Sequence, residues 1–399
     1  MAGTRRRRWL VRLAVALATV AVLVTVTGVG LYQYYQHRIT HVGLSFPPDY
    51  QRPAALAGSV NYLLIGSDSR EGTGGQYNSS GLSSGQNSDT QILAHLDANG
   101  SATLVSFPRD TYVSIPAYVD GTGIRHPASH NRMNAAFHLG GPSLLIQTVE
   151  SLTRIRVDHF IEVDLAGFKQ ITDAVGGIDV CLKASPTAET GLDDLGHPFR
   201  ATNLDDPFTG FHGHPGTLHL DGEQALAFVR QRHGLPNGDL DRIKRQQLFL
   251  AAAYRQATAS SVLLDPARVL PLLNAATRAL STDTGTGLND LRGLLERLHA
   301  LDAGRIHLQT VPTHWPTAAD GADSRGLIHG MSVLTYDRAA ADAMLTPLRG
   351  SPTPAPAAPP TPATPSSPTQ SQTNTPGRPA ATRPPPAGDL TVAADQCSY

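Results

Sequence analysis

The segment Asp221–Gln247, DGEQALAFVRQRHGLPNGDLDRIKRQQ, gathers charged residues around one loop of the 399-residue chain. It carries five basic side chains within sixteen residues, interrupted by two aspartates. These residues are Arg230, Arg232, Asp239, Asp241, Arg242, Lys244 and Arg245. A helix that begins near Leu240 would carry Arg242, Arg245 and Gln246 on one face. The spacing therefore predicts a helical surface with two guanidinium groups and one amide.

The loop 233–238 separates this helix from an earlier one. Residues 222–229 have apolar positions at helical spacing, and Arg230 and Arg232 follow directly. Asp239 stands where the N-cap of the second helix is expected. Guanidinium groups on both sides of a loop suit an anion with many oxygens, such as a pyrophosphate. A solvated pair of charged helices is the alternative, because exposed charges often have no further role.

The N-terminus predicts a membrane anchor. Arg5 to Arg8 and Arg12 precede the uncharged run Leu13–Leu31, LAVALATVAVLVTVTGVGL. At ~1.5 Å per residue, this run is about as long as a ~30 Å hydrocarbon core. We therefore expect a cytoplasmic segment over 1–12, a single transmembrane helix over 13–31 and an extracytoplasmic remainder in the cell membrane. A cleaved signal peptide is the alternative, although no clear cleavage site follows the run.

Strand and helix patterns alternate between residues 60 and 349, which favours one α/β domain. The predicted strands are 60–65, 91–96, 102–107, 158–163, 178–182 and 305–311. The predicted helices, besides those above, are 142–153, 165–174, 269–280, 288–301 and 337–348. We expect a stalk over 32–59, an irregular excursion over 184–216 and a Pro-rich disordered tail over 350–399. The apolar runs 144–146 and 248–250 are interpreted as core rather than as the lining of a tunnel.

Overall charge and cysteine content limit the possible partners. The formal net charge of −1 gives no basic footprint, so nucleic acid is not expected as a partner. Cys181 and Cys397 both follow the predicted membrane segment, and an oxidising compartment would permit a disulfide between them. Two isolated cysteines do not decide whether they pair.

Acidic and basic side chains follow three predicted strands. Asp68 and Arg70 come after the first strand, Asp89 precedes the second, and Arg109 and Asp110 end the third. Ligands of open α/β sheets usually bind at strand ends. If neighbouring strands bring Asp68 and Asp89 together, the two carboxylates could hold Mg²⁺ beside substrate phosphates. Aspartates that merely form turns are the alternative for each position.

These pieces together resemble the LytR-CpsA-Psr family of membrane-anchored cell-wall enzymes. The resemblance covers residues 60–253 and the end of the tail, 395–397. It is carried by GSDSR at 66–70, SDT at 88–90, SFPRD at 106–110, MNAAF at 133–137 with Gly140 and Gly141, DAVGGIDV at 173–180, and the segment 221–247.

The resemblance implies a phosphotransferase that moves a glycopolymer from a polyprenyl-pyrophosphate carrier onto peptidoglycan. It also implies a three-layer α/β/α sandwich with a central mixed β-sheet and an apolar tunnel for the lipid. Asp68 and Asp89 would hold Mg²⁺ or Mn²⁺, and Asp239 matches a family acid. The implied pyrophosphate ligands are Arg70, Arg109, Arg230, Arg232, Arg242, Arg245 and Gln246. Asn87 and Asp241 depart from the family pattern, which often has Arg and Gly at these positions.

Two matters stay open at this point. The acceptor hydroxyl needs a base, and Asp89 and Asp110 are both candidates; Arg109, Arg230 and Arg232 would stabilise the transferring group. The reaction could also be hydrolysis of the pyrophosphate, with water in place of the sugar hydroxyl. A regulatory protein and a non-catalytic wall-binding scaffold are further alternatives, and the topology expected above argues against cytoplasmic regulation.

Overall fold

The computed structural model describes residues 19, 22, 25–69, 88–193, 195–258, 266–350, 390–391 and 397–398. The predicted cytoplasmic segment, most of the predicted transmembrane helix, Arg70, Asn87 and most of the predicted disordered tail lie outside these residues. No helix within the described part is both long and apolar enough to cross a bilayer.

A mixed sheet forms the centre of the described chain. In chain order its strands are β1 (Thr40–Val42), β2 (Val60–Ser67), β3 (Ser88–Leu96), β4 (Ala102–Ser106), β9 (His159–Val163), β16 (Leu280–Asp283), β17 (Ile306–Thr310) and β20 (Leu390–Thr391). Among the described residues, their spatial order is β1-β16-β9-β2-β3-β4-β17-β20. The neighbours β1 and β16, β9 and β2, and β4 and β17 run parallel, while the other pairs are antiparallel. The predicted α/β class with a central mixed sheet is confirmed.

Smaller strands lie outside the central sheet. They are β5 (Tyr112–Ile115), β6 (Tyr118–Val119), β7 (Arg125–His126), β8 (Ser129–Arg132), β10 (Ile178–Leu182), β11 (Ala188–Leu192), β12 (Pro198–Thr202), β13 (Asp205–Asp206), β14 (Phe211–His212), β15 (Gly216–Leu220), β18 (Thr313–His314) and β19 (Thr335–Tyr336). Strands β11 to β14 form an antiparallel sheet of their own. The prediction of an irregular excursion over 184–216 is therefore wrong. The many Gly, Asp and Pro residues of this stretch mask the strand pattern, because these residue types are depleted in strands.

Helices connect the strands. They are α1 (25–36), α2 (Met133–Thr153), α3 (Leu165–Ala174), α4 (Gly222–Arg230), α5 (Asp239–Thr258), α6 (Pro266–Ala279), α7 (Leu288–Ala300) and α8 (Arg338–Leu345). Short 3₁₀ turns cover Ala303–Arg305, Ala318–Asp320 and Thr346–Arg349. Helix α2 begins nine residues before its predicted start and is interrupted by non-helical backbone at Gly140 and Gly141. Pro142 opens the second half of α2, where a missing N–H does no harm.

The two faces of the central sheet bury different sets of side chains. Leu63, Leu93 and Phe160 point to one face and pack with the apolar residues of α2. Tyr62 and Ile161 point to the other face and pack with residues of α7. This alternation follows from the two-residue period of a strand. Helices consequently cover both faces, and the strand ends are left to form a site.

Part of the predicted stalk belongs to the fold. Strand β1 pairs with β16 at the edge of the central sheet, although we expected the domain to begin at residue 60. The end of α1 is also attached, because the Leu288 N–H donates to Gln36 Oε1 at 2.8 Å and Arg38 Nη1 donates to Asn274 Oδ1 at 2.7 Å. These contacts fix the chain between α1 and the sheet.

The last described residues are also attached to the fold. Cys397 forms a disulfide with Cys181 of β10, which answers the question of pairing that the sequence left open. The Lys183 N–H donates to the Ser398 carbonyl at 2.7 Å, and the Ser398 N–H donates to the Cys181 carbonyl at 3.0 Å. Strand β20 adds a short antiparallel partner to β17. Residues 390–391 and 397–398 of the tail are therefore ordered against the fold, whereas disorder was predicted for the whole tail.

Candidate active site

Two aspartates stand at neighbouring strand ends. Gly66 of β2 pairs with Thr90 of β3, and after a bulge Ser67 pairs with Ser88. Asp68 follows the first strand directly, and Asp89 lies inside the paired segment of the second. The structure thus brings the backbones of the two predicted metal ligands side by side.

Asp89 is held by an arginine from the next strand end. Arg109, which follows β4, donates from Nη1 to Asp89 Oδ1 at 2.5 Å. Burial alone would raise the pKa of the Asp89 carboxyl, but the positive charges of Arg242 and Arg109 outweigh it and hold this pKa below its ordinary value. Neighbouring guanidinium groups thus stabilise the ionised form of the Asp89 carboxyl.

Asp239 gathers arginines from three segments. Its Oδ1 lies 3.0 Å from Arg242 Nη1, 3.4 Å from Arg232 Nε and 3.9 Å from Arg109 Nε. The predicted N-cap role of Asp239 is wrong, because α5 begins at Asp239 itself and the Arg242 N–H donates to the carbonyl of Gly238. The carboxylate thus orients guanidinium groups rather than closing the helix.

Arg242 is the most deeply placed of these arginines. It is 2% exposed and donates to Asp239 Oδ2 at 3.1 Å and to the Asp89 carbonyl at 3.4 Å. Burial, together with repulsion from Arg232 and Arg109, lowers its pKa to about 10 despite the attraction of Asp239 and Asp89. Its buried Nε has no hydrogen-bond partner among the described residues. This cluster is short of negative charge, and an anion would supply it.

A cavity of about 460 Å³ opens beside the cluster. Part of its lining is apolar: Leu64, Ile92, Ile161, Val163, Leu165, Phe168, Ile171, Leu226, Val229, Phe249 and Leu250. The rest is polar or charged and includes Asp89, Thr90, Arg230, Arg232, His233, Arg242 and Gln246. The expectation that the run 248–250 belongs to the core alone is wrong, because Phe249 and Leu250 face the cavity. The run 144–146 is core, as expected.

The predicted arginine face of α5 is divided in two. Arg242 and Gln246 line the cavity, whereas Arg245 does not. The Arg245 guanidinium is fully buried 4.5 Å from the ring centre of Phe228, and it donates to Gln231 Oε1 and to the Asn203 carbonyl. Burial lowers its pKa to about 9. The structure therefore gives Arg245 a place in the packing of α4 against α5, away from the proposed pyrophosphate.

Asp110 stands at the outer side of the cluster. Its carboxylate lies 3.4 Å from Arg109 Nε and 3.6 Å from Arg132 Nε. Arg132, at the end of β8, was not predicted as a site residue, because a single arginine in a long loop carries no sequence signal. Its position next to Asp110 adds a further guanidinium to this edge of the sheet.

The donor set is compatible with a divalent cation. Within the described residues, no group of three or more His, Cys, Asp and Glu side chains could enclose a metal ion. Mg²⁺ needs no such group, since it usually takes one or two carboxylates and fills its other positions with water and phosphate oxygens. Asp68 and Asp89 at adjacent strand ends fit this requirement, and Asp89 already binds a positive group in Arg109.

Comparison with known proteins points to one family. A family model described as LytR_cpsA_psr matches residues 40–350. The cell wall biosynthesis protein LcpA of Corynebacterium glutamicum is 33% identical over 327 residues, which cover 76% of this chain and 58% of that protein. The Bacillus mycoides protein named polyisoprenyl-teichoic acid–peptidoglycan teichoic acid transferase TagU is 32% identical over 206 residues, which cover 51% of this chain and 54% of that protein. The chain thus spans little more than half the length of these relatives.

A solved structure agrees with the family model. The LytR-Csp2A-Psr enzyme from Actinomyces oris superposes with a TM-score of 0.55 at 18% identity, over 79% of this chain and 97% of that chain. At this identity the similarity concerns the fold alone. The family model covers most of the chain, including the strand ends and the arginine helix described above. The chain therefore belongs to the LytR-CpsA-Psr family.

Proposed function

We propose that this protein is a phosphotransferase that moves a glycopolymer from a polyprenyl-pyrophosphate carrier onto peptidoglycan and leaves a phosphodiester link. The names of the relatives, a cell wall biosynthesis protein and a teichoic acid transferase, support this reaction class. In this proposal the segment 13–31 anchors the chain in the cell membrane, and the folded part lies outside.

The undercompensated charge of Arg242 carries the proposal. Arg242 is buried, its Nε has no hydrogen-bond partner among the described residues, and the guanidinium groups of Arg232 and Arg109 repel it. An anion bound in the cavity would offset this repulsion. Arg230, Arg232 and Arg242 line the same cavity as a large apolar surface. A polyprenyl pyrophosphate has both complementary parts, since its phosphates suit the arginines and its hydrocarbon suits the apolar lining.

The reaction needs alignment and charge neutralisation more than covalent help. The acceptor hydroxyl oxygen would attack the phosphorus next to the sugar, and the bond from that phosphorus to the bridging oxygen would break. The leaving group is the polyprenyl monophosphate. Arg230, Arg232 and Arg242 would bind the phosphate oxygens, where charge develops. Asp89 and Asp110 are both candidate bases for the acceptor hydroxyl, and each carboxylate lies beside Arg109.

A divalent cation would complete the site. Asp68 and Asp89 would hold Mg²⁺ or Mn²⁺, which when bound supplies positive charge to the phosphate oxygens. Arg109 would share the Asp89 carboxylate with the cation.

Transfer and hydrolysis are separated by following both products. The full-length protein in detergent is incubated with a polyprenyl-pyrophosphate-linked glycan, Mg²⁺ and peptidoglycan. We expect glycan on the peptidoglycan and polyprenyl monophosphate in equal amounts, and little of either without acceptor. Free sugar phosphate at the same rate with and without acceptor would establish a pyrophosphatase instead. If Arg230→Ala with Arg232→Ala left transfer unchanged, the proposed site would be wrong.

A further inference from the structure

Two rings form an aromatic surface beside the arginines. Phe208 and His233 lie with ring centres 4.2 Å apart at an angle of 33°, and both line the cavity. Phe208 is 47% exposed, although its ring packs edge-on against Phe199 at 4.7 Å. An exposed phenylalanine at the rim of a cavity offers an apolar ring face to a ligand.

Polar contacts fix the His233 side of this surface. Glu189 Oε1 lies 3.0 Å from His233 Nδ1, and the Gly234 N–H donates to Glu189 Oε2 at 3.1 Å. Gly234 has a φ of +73°, and a Cβ there would lie 2.5 Å from the backbone of Thr202. The loop that carries His233 is thus held tightly against β12, and its ring has a set position.

A buried carboxylate fixes the Phe208 side of the aromatic surface. Asp206 is fully buried and accepts from the Phe208 N–H at 3.0 Å and from the Thr209 hydroxyl at 2.8 Å. Thr209 also lines the cavity. The two rings are therefore prepared before any ligand binds, which reduces the entropy lost on binding.

A second aromatic pair in the same cavity has different surroundings. Phe168 and Phe249 lie 4.6 Å apart among aliphatic side chains such as Leu64. The pair Phe208 and His233 instead adjoins Arg232, a hydroxyl and a carboxylate. Hydrocarbon suits the first environment, whereas a ligand with an apolar face and a polar rim suits the second.

We propose that the Phe208 ring, backed by the His233 ring packed against it, forms a sugar platform, which stacks against the first sugar ring attached to the pyrophosphate of the donor. This inference rests on the proposed function. A pyranose has a face of C–H groups and a rim of hydroxyls, and the negative face of an aromatic ring attracts such C–H groups. Arg232 is the chain neighbour of His233, so a sugar next to the bound phosphates would reach the platform directly. Thr209, which lines the cavity, stands beside the rings to accept a hydrogen bond from the rim.

Two lipid probes test the sugar platform. Equilibrium binding to the full-length protein in detergent is measured with undecaprenyl pyrophosphate and with the same lipid carrying a single N-acetylglucosamine. Phe208→Ala should weaken binding of the sugar-bearing lipid by about two- to ten-fold, the range of one stacking contact. Binding of the sugarless lipid should change by less than about two-fold, which also shows that the variant is folded.

The matched control is Leu192→Ala, an exposed apolar residue of the same small sheet that does not line the cavity. It should leave both affinities unchanged. Equal losses for both lipids in Phe208→Ala would make the pair part of the lipid channel and overturn the platform, and so would no loss at all. If the unaltered protein bound neither lipid, the proposed function itself would fail. If it bound both and transferred glycan while Phe208→Ala showed no selectivity, only the platform would be wrong.

Discussion

Replacing Arg242 with methionine should stabilise the ligand-free protein while abolishing its affinity for pyrophosphate. Methionine keeps a similar length and removes the charge. The reason lies in the position of Arg242, which is almost fully buried and shares the two carboxylates of Asp239 and Asp89 with two further guanidinium groups.

The magnitude follows from the lowered pKa. The fall from the ordinary value to about 10 corresponds to about 3 kcal/mol of unfavourable free energy for the charged form in the folded state. Because the folded pKa lies below the unfolded one, this penalty is fully present below pH 10 and disappears only as pH rises above the unfolded pKa. Methionine would also lose the hydrogen bonds to Asp239 and to the Asp89 carbonyl. Arg232 and Arg109 would still neutralise Asp239 in this variant. We therefore expect a net gain of about 1 kcal/mol at pH 7, which is the relieved penalty less the lost hydrogen bonds.

Asp239→Asn is the matched variant, for which we expect the opposite change in the free energy of unfolding. It removes the negative charge nearest to Arg242, 3.0 Å away, and leaves the guanidinium groups in place. We expect a loss of about 3 kcal/mol, since breaking a buried ion pair from one side leaves an uncompensated charge.

Denaturant unfolding of both full-length variants in one detergent at pH 7 measures these free energies. Titration with undecaprenyl pyrophosphate measures binding. A loss of stability in Arg242→Met comparable to that in Asp239→Asn would refute the view that the cluster lacks negative charge.

Three further predictions concern other parts of the molecule. Arg245→Lys should lower the free energy of unfolding by about 2 kcal/mol, because a lysine cannot satisfy both Gln231 and the Asn203 carbonyl; lipid affinity of the folded fraction should stay unchanged, and a selective loss of affinity would return Arg245 to the site. Cys397→Ser should lower stability by about 2–4 kcal/mol in oxidising buffer but have little effect under reduction, which thermal melts with and without reductant compare. Asp89→Asn should destabilise the protein at neutral pH, because the ionised Asp89 carboxylate contributes stability above its unfolded pKa. This difference in stability should disappear as pH falls through the lowered pKa of Asp89. A difference that persisted at the lowest pH at which the protein folds would contradict the lowered pKa.

Local patterns predicted several elements well because local forces decide them. The helix Leu165–Ala174 and the strand Ile178–Leu182 have the bounds expected from their apolar spacing and from the Gly-Gly turn between them. The end of the strand that precedes Asp68 also lies beside Asp89, since Ser67 pairs with Ser88.

Tertiary contacts determine the features that local sequence patterns did not predict. Spacing correctly placed Arg242 and Arg245 three residues apart on a helix, but it could not show that two phenylalanines of other segments would enclose Arg245. Phe208 was not predicted as a site residue for the same reason. It lies in a turn between two short strands, and its partner His233 is remote in sequence. Asp239 looked like a cap because caps and ion-pair partners are the same residue types.

The bond between Cys181 and Cys397 has a consequence for proteolysis of the protein. It closes the backbone from residue 182 to residue 396 into a covalent ring that includes the whole proline-rich stretch. A protease that cuts once between 351 and 389 would therefore open the ring without shedding a fragment. The nicked protein would keep its mass on a non-reducing gel and separate into two chains only after a thiol is added.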